Sequence, residues 1–213
     1  MLKLNMGGLR TILCLGAHAD DIEIGCGGTI LRWLQEYRDV EVHWVVLSSD
    51  PRRKKEALKG SQLFLRGASQ TRVSVERFRD GFLPYVASDV KEYFEGLKSR
   101  VNPDIIFTHY REDRHQDHRI VSDLTWNTFR NHLILEYEIP KFDGDLGQPN
   151  FFVNLDAAIC RKKIQLILDT FKSQRDKHWL TENTLWALPR LRGIEAAATT
   201  NHCEAFYCRK IAL

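Results

Sequence analysis

Residues 11–16, Thr-Ile-Leu-Cys-Leu-Gly, form an uninterrupted apolar run between polar flanks. A half-exposed strand alternates apolar and polar residues, whereas a short continuous run suits a strand buried on both faces of a parallel sheet. The run stops at Gly16 and opens into His18-Ala-Asp20-Asp21-Ile-Glu23, with Gly25-Cys-Gly27-Gly28 behind it. Ile30, Leu31, Trp33, Leu34 and Tyr37 then recur at helical spacing. Strand, turn and helix in that order make half of a βαβ unit, and the rest of the chain has to be compatible with it.

It is. Val40 to Leu47 is a second apolar run, ending in Ser48-Ser49-Asp50-Pro51, a turn-forming and helix-capping cluster. A polar helix follows over residues 52–66, with Ala57, Leu58, Leu63 and Leu65 expected on its inner face. Residues 73–78 read as a short strand, Asp80-Gly81 as a turn and 86–98 as a helix. Ile105 to Thr108 is a buried strand that runs into a second polar cluster, His109-Tyr-Arg-Glu-Asp113-Arg-His115-Gln-Asp117-His118. Residues 120–129 read as helix and 132–137 as strand; 141–149, with two glycines, two aspartates and a proline, read as a mobile loop or lid. Residues 151–155, 157–172 and 204–209 complete the pattern as strand, helix and strand. The expected fold is a single-domain α/β, Rossmann-like, doubly wound and mostly parallel sheet over residues 1–213. In such sheets ligands bind at the carboxyl ends of the strands, where both polar clusters sit.

Composition narrows the function. A formal charge of +3 is too mild for a nucleic-acid binder, and the basic residues 52–55 stand without aromatic neighbours. No secretory signal and no apolar stretch of membrane-spanning length is evident, so a cytoplasmic protein without membrane insertion is expected. Cysteines 14, 26, 160, 203 and 208 contain no Cys-x-x-Cys pair, which argues against a disulfide framework or a thiolate zinc site; they read as small buried residues.

The two clusters together hold what a hydrolytic metal site needs. Such a site takes three protein ligands from His, Asp or Glu and keeps a position open for water, and His18, Asp21 and His118 supply that set. Asp20 is left to act as general base, and His115 to stabilise the developing oxyanion or protonate the leaving amine. Beside a cation, Asp20 is expected to keep a low pKa. Asp117 is expected either to orient His115 or to accept from an outer group. His109 ends a buried strand and reads first as a hydrogen-bonded core histidine. The glycine run fails as a dinucleotide fingerprint because it comes nine residues after the strand, behind two acids; close packing at a helix start accounts for it better.

On these residues the chain resembles the PIG-L/LmbE family of zinc-dependent N-deacetylases. His18-Ala-Asp20-Asp21-Ile-Glu23-Ile-Gly25-Cys-Gly27-Gly28 is similar to the family's His-Pro-Asp-Asp motif and its glycines, and Asp113-Arg-His115-Gln-Asp117-His118 to its Asp-x-His-x-Asp-His. The resemblance implies the same roles for His18, Asp21 and His118 as metal ligands, Asp20 as base and His115 as oxyanion or acid group. It implies Zn2+ as cofactor, with Fe2+ or another divalent metal also compatible, and an N-acetylglucosamine-like amino-sugar conjugate as substrate. It makes Arg53, in Arg53-Lys-Lys-Glu56, a candidate substrate contact, although a solvent-facing arginine reads equally well. Glu204-Ala-Phe206 resembles the family's closing strand and is expected to be structural. Ala19 and Gln116 stand where proline is usual, which relaxes the backbone around catalytic positions. Trp179 and Trp186, seven apart, read as core packing on a helix before sugar stacking. A homo-oligomer is compatible with the sequence, as is a non-catalytic carbohydrate-binding or complex-forming subunit. Two histidines and a carboxylate also suit a non-haem Fe(II) oxygenase, which has no use for Asp20.

Overall fold

The computed structural model describes residues 6–212. A seven-stranded sheet runs in the order β3-β2-β1-β4-β5-β7-β6. Its strands are β1 (Thr11–Gly16), β2 (Glu41–Ser48), β3 (Gln70–Phe78), β4 (Ile105–His109), β5 (Leu133–Tyr137), β6 (Phe151–Leu155) and β7 (His202–Cys208). β1 to β5 are parallel, and β7 is antiparallel to both β5 and β6. The helices are α1 (Asp21–Glu36), α2 (Pro51–Phe64), α3 (Ala87–Lys98), α4 (Gln116–Thr128), α5 (Ala157–Thr170) and α6 (Glu182–Glu195). No helix among the described residues is long and apolar enough to cross a membrane.

β1 is buried on both faces. Ile12 and Cys14 join Trp44, Phe107 and Phe206 in one core, and Leu13 and Leu15 join Val45, Ile106 and Val90 in the other. Chain order reverses direction at β1, which has β2 on one side and β4 on the other. Ile12 pairs with Ile105 and Cys14 with Phe107, so the segments leaving β1 and β4 emerge side by side. This is the crevice that doubly wound sheets use for ligands.

The glycine run lies inside α1 and not at its start: the helix begins at Asp21, with Asp20 as N-cap. Close packing is nonetheless the reason for it. A Cβ on Gly25 would overlap the Tyr137 ring, one on Gly27 would lie 2.5 Å from Phe64, and one on Gly28 2.5 Å from Leu155. Glu204 of β7 uses the same space: its carboxylate accepts from the backbone N–H of Gly28 (2.8 Å) and Thr29 (2.6 Å). Lys163 of α5 pairs with Glu204 at 2.6 Å and donates to the Ile24 carbonyl at 2.6 Å. The closing strand therefore fixes the helix whose first turn carries the acidic cluster.

α2 starts where expected, with Asp50 accepting from the N–H of Arg52 and Arg53 and Pro51 in the first turn. Its inner face differs from the expectation. Ala57, Gly60, Ser61 and Phe64 are buried, while Leu58 is 40% exposed. A spacing of 57, 60, 61 and 64 keeps one stripe inward, and Leu58 lies about 100° round the helix from Ala57. Trp179 and Trp186 do not share a helix, since α6 begins after Thr181; both are partly buried against the core. Four cysteines are buried and Cys208 is half-buried; all five are free thiols.

Candidate active site

His18 stands two residues beyond β1, Asp20 and Asp21 at the start of α1, His109 at the end of β4, and His115, Asp117 and His118 at the start of α4. His18 Nδ1 is 3.1 Å from His118 Nε2 and 3.3 Å from Asp21 Oδ2, and His118 Nε2 is 3.6 Å from Asp21 Oδ2. Bonds of about 2.0–2.2 Å from a tetrahedral ion place its donors roughly 3.3–3.6 Å apart; the two separations to Asp21 match this and the one between the histidines is slightly shorter.

The remaining nitrogens support the same fit. His18 Nε2 faces Asp80 Oδ1 at 3.1 Å and Asp117 Oδ2 at 3.3 Å, and His118 Nδ1 faces Asp113 Oδ2 at 2.8 Å. Each imidazole thus has one nitrogen against an outer carboxylate and the other facing the common point, the arrangement that orients histidine ligands. Asp21 Oδ2 is further held by the His18 backbone N–H at 2.6 Å.

The charged groups act on the two rings in opposite directions. Burial opposes protonation of His18, but Asp21, Asp117 and Asp80 outweigh it and hold its pKa well above the ordinary value. Burial would raise Asp21, yet His118, His109 and His18 hold it well below the carboxylate range. Burial, aided by His109, pushes His118 down to about 3. The hydrogen bond to His18 takes Asp80 down to about 2. A pocket with this many ionised carboxylates is built around positive charge.

Asp20 is 4% exposed, and its Oδ1 accepts from Arg53 Nη2 at 2.8 Å. Its pKa is raised: burial outweighs the opposing effect of Arg53. Arg53 is not solvent-facing. Its side chain is 14% exposed, it bridges Asp20 and Asp80 (3.2 Å), and its Nε finds no partner among the described residues.

His115 Nδ1 accepts the N–H of Asp117 at 3.2 Å, which leaves the ring proton of the neutral imidazole on Nε2. Burial, then His18, lower its pKa. The Asp117 carboxylate does not reach for His115. It accepts from the N–H of Gly81 (2.7 Å) and Leu83 (3.1 Å) and approaches His18, so of the two roles expected for it the outer-group one has the geometry. Gln116, standing in place of proline, donates to the Gly81 carbonyl at 3.1 Å and so ties the same turn to α4.

A cavity of about 360 Å³ opens over these groups, lined by Arg53, Asp80 and His115 together with Phe142, Lys177 and Trp179. The 141–149 loop forms part of this wall, and polar contacts anchor it along its length. Lys141 pairs with Asp113 and Asp145, Asp145 accepts from the Arg114 N–H, and Gly147 bonds Glu138 and Arg192. Loop composition suggests mobility, but the buried partners Asp113, Glu138 and Arg192 lie outside the loop and are invisible in its composition.

Three residues of the site carry no assigned role on sequence grounds alone. Asp113 opens the second motif, Asp80 reads only as part of a turn, and His109 reads as core. His109 is fully buried, but its Nε2 lies 3.1 Å from Asp21 Oδ2 while accepting the Ala17 N–H at 2.9 Å. Asp113 has a signal in its motif; Asp80 has none, since its partner His18 is contacted only in three dimensions.

Comparison with known proteins places this geometry. "Uncharacterized deacetylase YaiS" of Escherichia coli (strain K12) is 29% identical over 142 residues, 62% of this chain and 75% of that protein. Among solved structures, the conserved protein TT1542 from Thermus thermophilus superposes with a TM-score of 0.76 at 22% identity, covering 96% of each chain. N,N'-diacetylchitobiose deacetylase from Pyrococcus horikoshii gives 0.68 at 21% identity over 93% of this chain and 83% of its own. The same fold is found in GalB, the 4-carboxy-2-hydroxymuconate hydratase of Pseudomonas putida KT2440, at 0.74 and 17% identity over 96% and 98% of the two chains. Structural likeness at such identities establishes fold alone. The family model described as PIG-L, GlcNAc-PI de-N-acetylase, matches residues 13–129, more than half of the sequence and both polar clusters, and the chain accordingly belongs to the PIG-L family.

Proposed function

We propose that this protein is a metal-dependent amide hydrolase that removes the N-acetyl group from an N-acetylglucosamine-like amino-sugar conjugate, releasing acetate and a free amine. The observation that carries the reading is the convergence of His18 Nδ1, Asp21 Oδ2 and His118 Nε2 within 3.1–3.6 Å of one another, with Asp20 beside them. Family membership and the likeness to two deacetylases, YaiS and the Pyrococcus enzyme, support the same reaction class.

His18, Asp21 and His118 would hold the ion, with zinc as the first expectation and Fe2+ or another divalent metal as alternatives. When bound, the ion supplies Lewis acidity that lowers the pKa of water and polarises a carbonyl. The protein's own groups do the rest. Asp20, kept basic by burial, accepts a proton from the attacking water, and that proton is available to the departing amine. His115 offers its Nε2–H to the oxyanion that forms as the amide carbon becomes tetrahedral. Asp117 fixes His115 through its backbone N–H and His18 through its carboxylate. Arg53 aims Asp20, and its unpartnered buried Nε is suited to a sugar hydroxyl.

The substrate is a small-molecule amino-sugar conjugate and not nucleic acid, and the chain acts as one domain in the cytoplasm. The test is acetate release from N-acetylglucosamine and its conjugates by zinc-loaded protein. Acetate release stoichiometric with free amine supports the reading; sugar binding without acetate release favours a non-catalytic subunit.

A further inference from the structure

Lys141 belongs to neither motif and lies beyond the residues matched by the family model. Its side chain is 8% exposed, and its ammonium sits 2.9 Å from Asp113 Oδ2 and 2.5 Å from Asp145 Oδ2, two carboxylates that are themselves 2% and 5% exposed. Asp113 Oδ2 is the atom that receives His118 Nδ1, and Asp113 Oδ1 accepts the backbone N–H of His115 at 2.8 Å. One carboxylate therefore fixes the ring of one site residue and the backbone of another, and one ammonium fixes that carboxylate.

A buried ammonium is a costly way to pin a loop, because desolvation of three charged groups offsets much of their attraction. Pinning is also supplied elsewhere: Gly147 is held by Glu138 and Arg192, and Asp145 by the Arg114 N–H. What Lys141 alone provides is positive charge between Asp113 and Asp145. Without it two carboxylates face one another out of water, and Asp113 relieves the repulsion by turning away from His118.

We propose that Lys141 is a positioning residue of the catalytic centre, holding Asp113 in the orientation that fixes His118 and His115 and coupling the 141–149 wall of the cavity to the metal site. The proposal rests on the reading of His118 as a metal ligand.

The test compares Lys141→Met, Lys141→Arg and the double variant Lys141→Met/Asp145→Asn. Zinc affinity is measured by chelator competition, steady-state kinetics by acetate release, and the His118 Nδ1–H proton by NMR in metal-free protein. Lys141→Met is expected to weaken zinc binding and lower kcat by about 10- to 100-fold each, the usual effect of losing an outer partner of a ligand, with KM little changed. It is also expected to lose the hydrogen-bonded Nδ1–H signal. The double variant, freed of the opposing carboxylate, should recover part of both losses, and Lys141→Arg most of them. Wild-type zinc affinity, kcat and Nδ1–H signal in Lys141→Met would overturn the proposal, as would a double variant no better than the single one. Absence of zinc binding by the wild-type protein would overturn the metal reading instead, and the Nδ1–H signal would still report whether Lys141 positions Asp113.

Discussion

Arg53 Nη2 lies 2.8 Å from Asp20 Oδ1, and the same guanidinium reaches Asp80 Oδ2 at 3.2 Å. Asp80 in turn faces His18. One planar fork therefore aims the proposed base and, through Asp80, the outer nitrogen of a proposed metal ligand. Lysine keeps the charge but cannot span both carboxylates. Arg53→Lys is predicted to lower kcat/KM about 10- to 100-fold while the protein stays folded, a loss of the size seen for outer partners of metal ligands. Steady-state acetate release and a thermal melt check it.

Gly25 leaves room for the Tyr137 ring, whose hydroxyl donates to the Leu15 carbonyl at 2.6 Å. A methyl group there must displace the ring. Overpacking of this kind costs about 1–3 kcal/mol, so Gly25→Ala is predicted to lower the urea midpoint correspondingly. An unchanged midpoint would mean that α1 shifts freely against β5.

The fold was legible because β1, β2 and β4 read as apolar runs that end at glycine or polar clusters, whereas the edge strand β3 alternates and is exposed or half-buried except at Val75. That the two polar clusters would meet was legible too, because strand ends in such sheets converge. What could not be read was contact geometry. Leu58 and Ala57 are adjacent in sequence, and only the stripe through Gly60 and Phe64 settles which faces inward. Asp117 sits beside His115 in the motif, yet its carboxylate serves His18 and the 81–83 backbone. Asp80 and Lys141 act through partners that are remote or lie outside any pattern.

Lys163 and Glu204 form a buried pair on the backbone of α1. Removing one partner strands the other charge, at a cost of about 3–5 kcal/mol. Lys163→Met is predicted to destabilise by that amount, and Lys163→Met/Glu204→Met by less than the single change. Equilibrium urea unfolding of the single variants and the double variant gives the coupling directly.

His43 on β2 has its pKa lowered by burial, with Glu41, 3.0 Å away, opposing the shift. The unfolded chain therefore binds this proton more tightly than the folded one. The contribution is fully present above about pH 6.5, the unfolded value, and is lost as pH falls through the lower folded value. His43→Asn is predicted to flatten the decline in melting temperature on acidification through this range, measured in parallel with the wild-type protein.

In the proposed division of labour Asp21 holds the metal while Asp20 moves the proton. Bound zinc and acetate release measured together on Asp20→Asn and Asp21→Ala test it most directly. Asp20→Asn is predicted to keep its zinc and lose about 10²- to 10⁴-fold in kcat, the usual contribution of a general base, whereas Asp21→Ala loses both zinc and turnover. Full turnover in metal-free Asp21→Ala, or in Asp20→Asn, would contradict it.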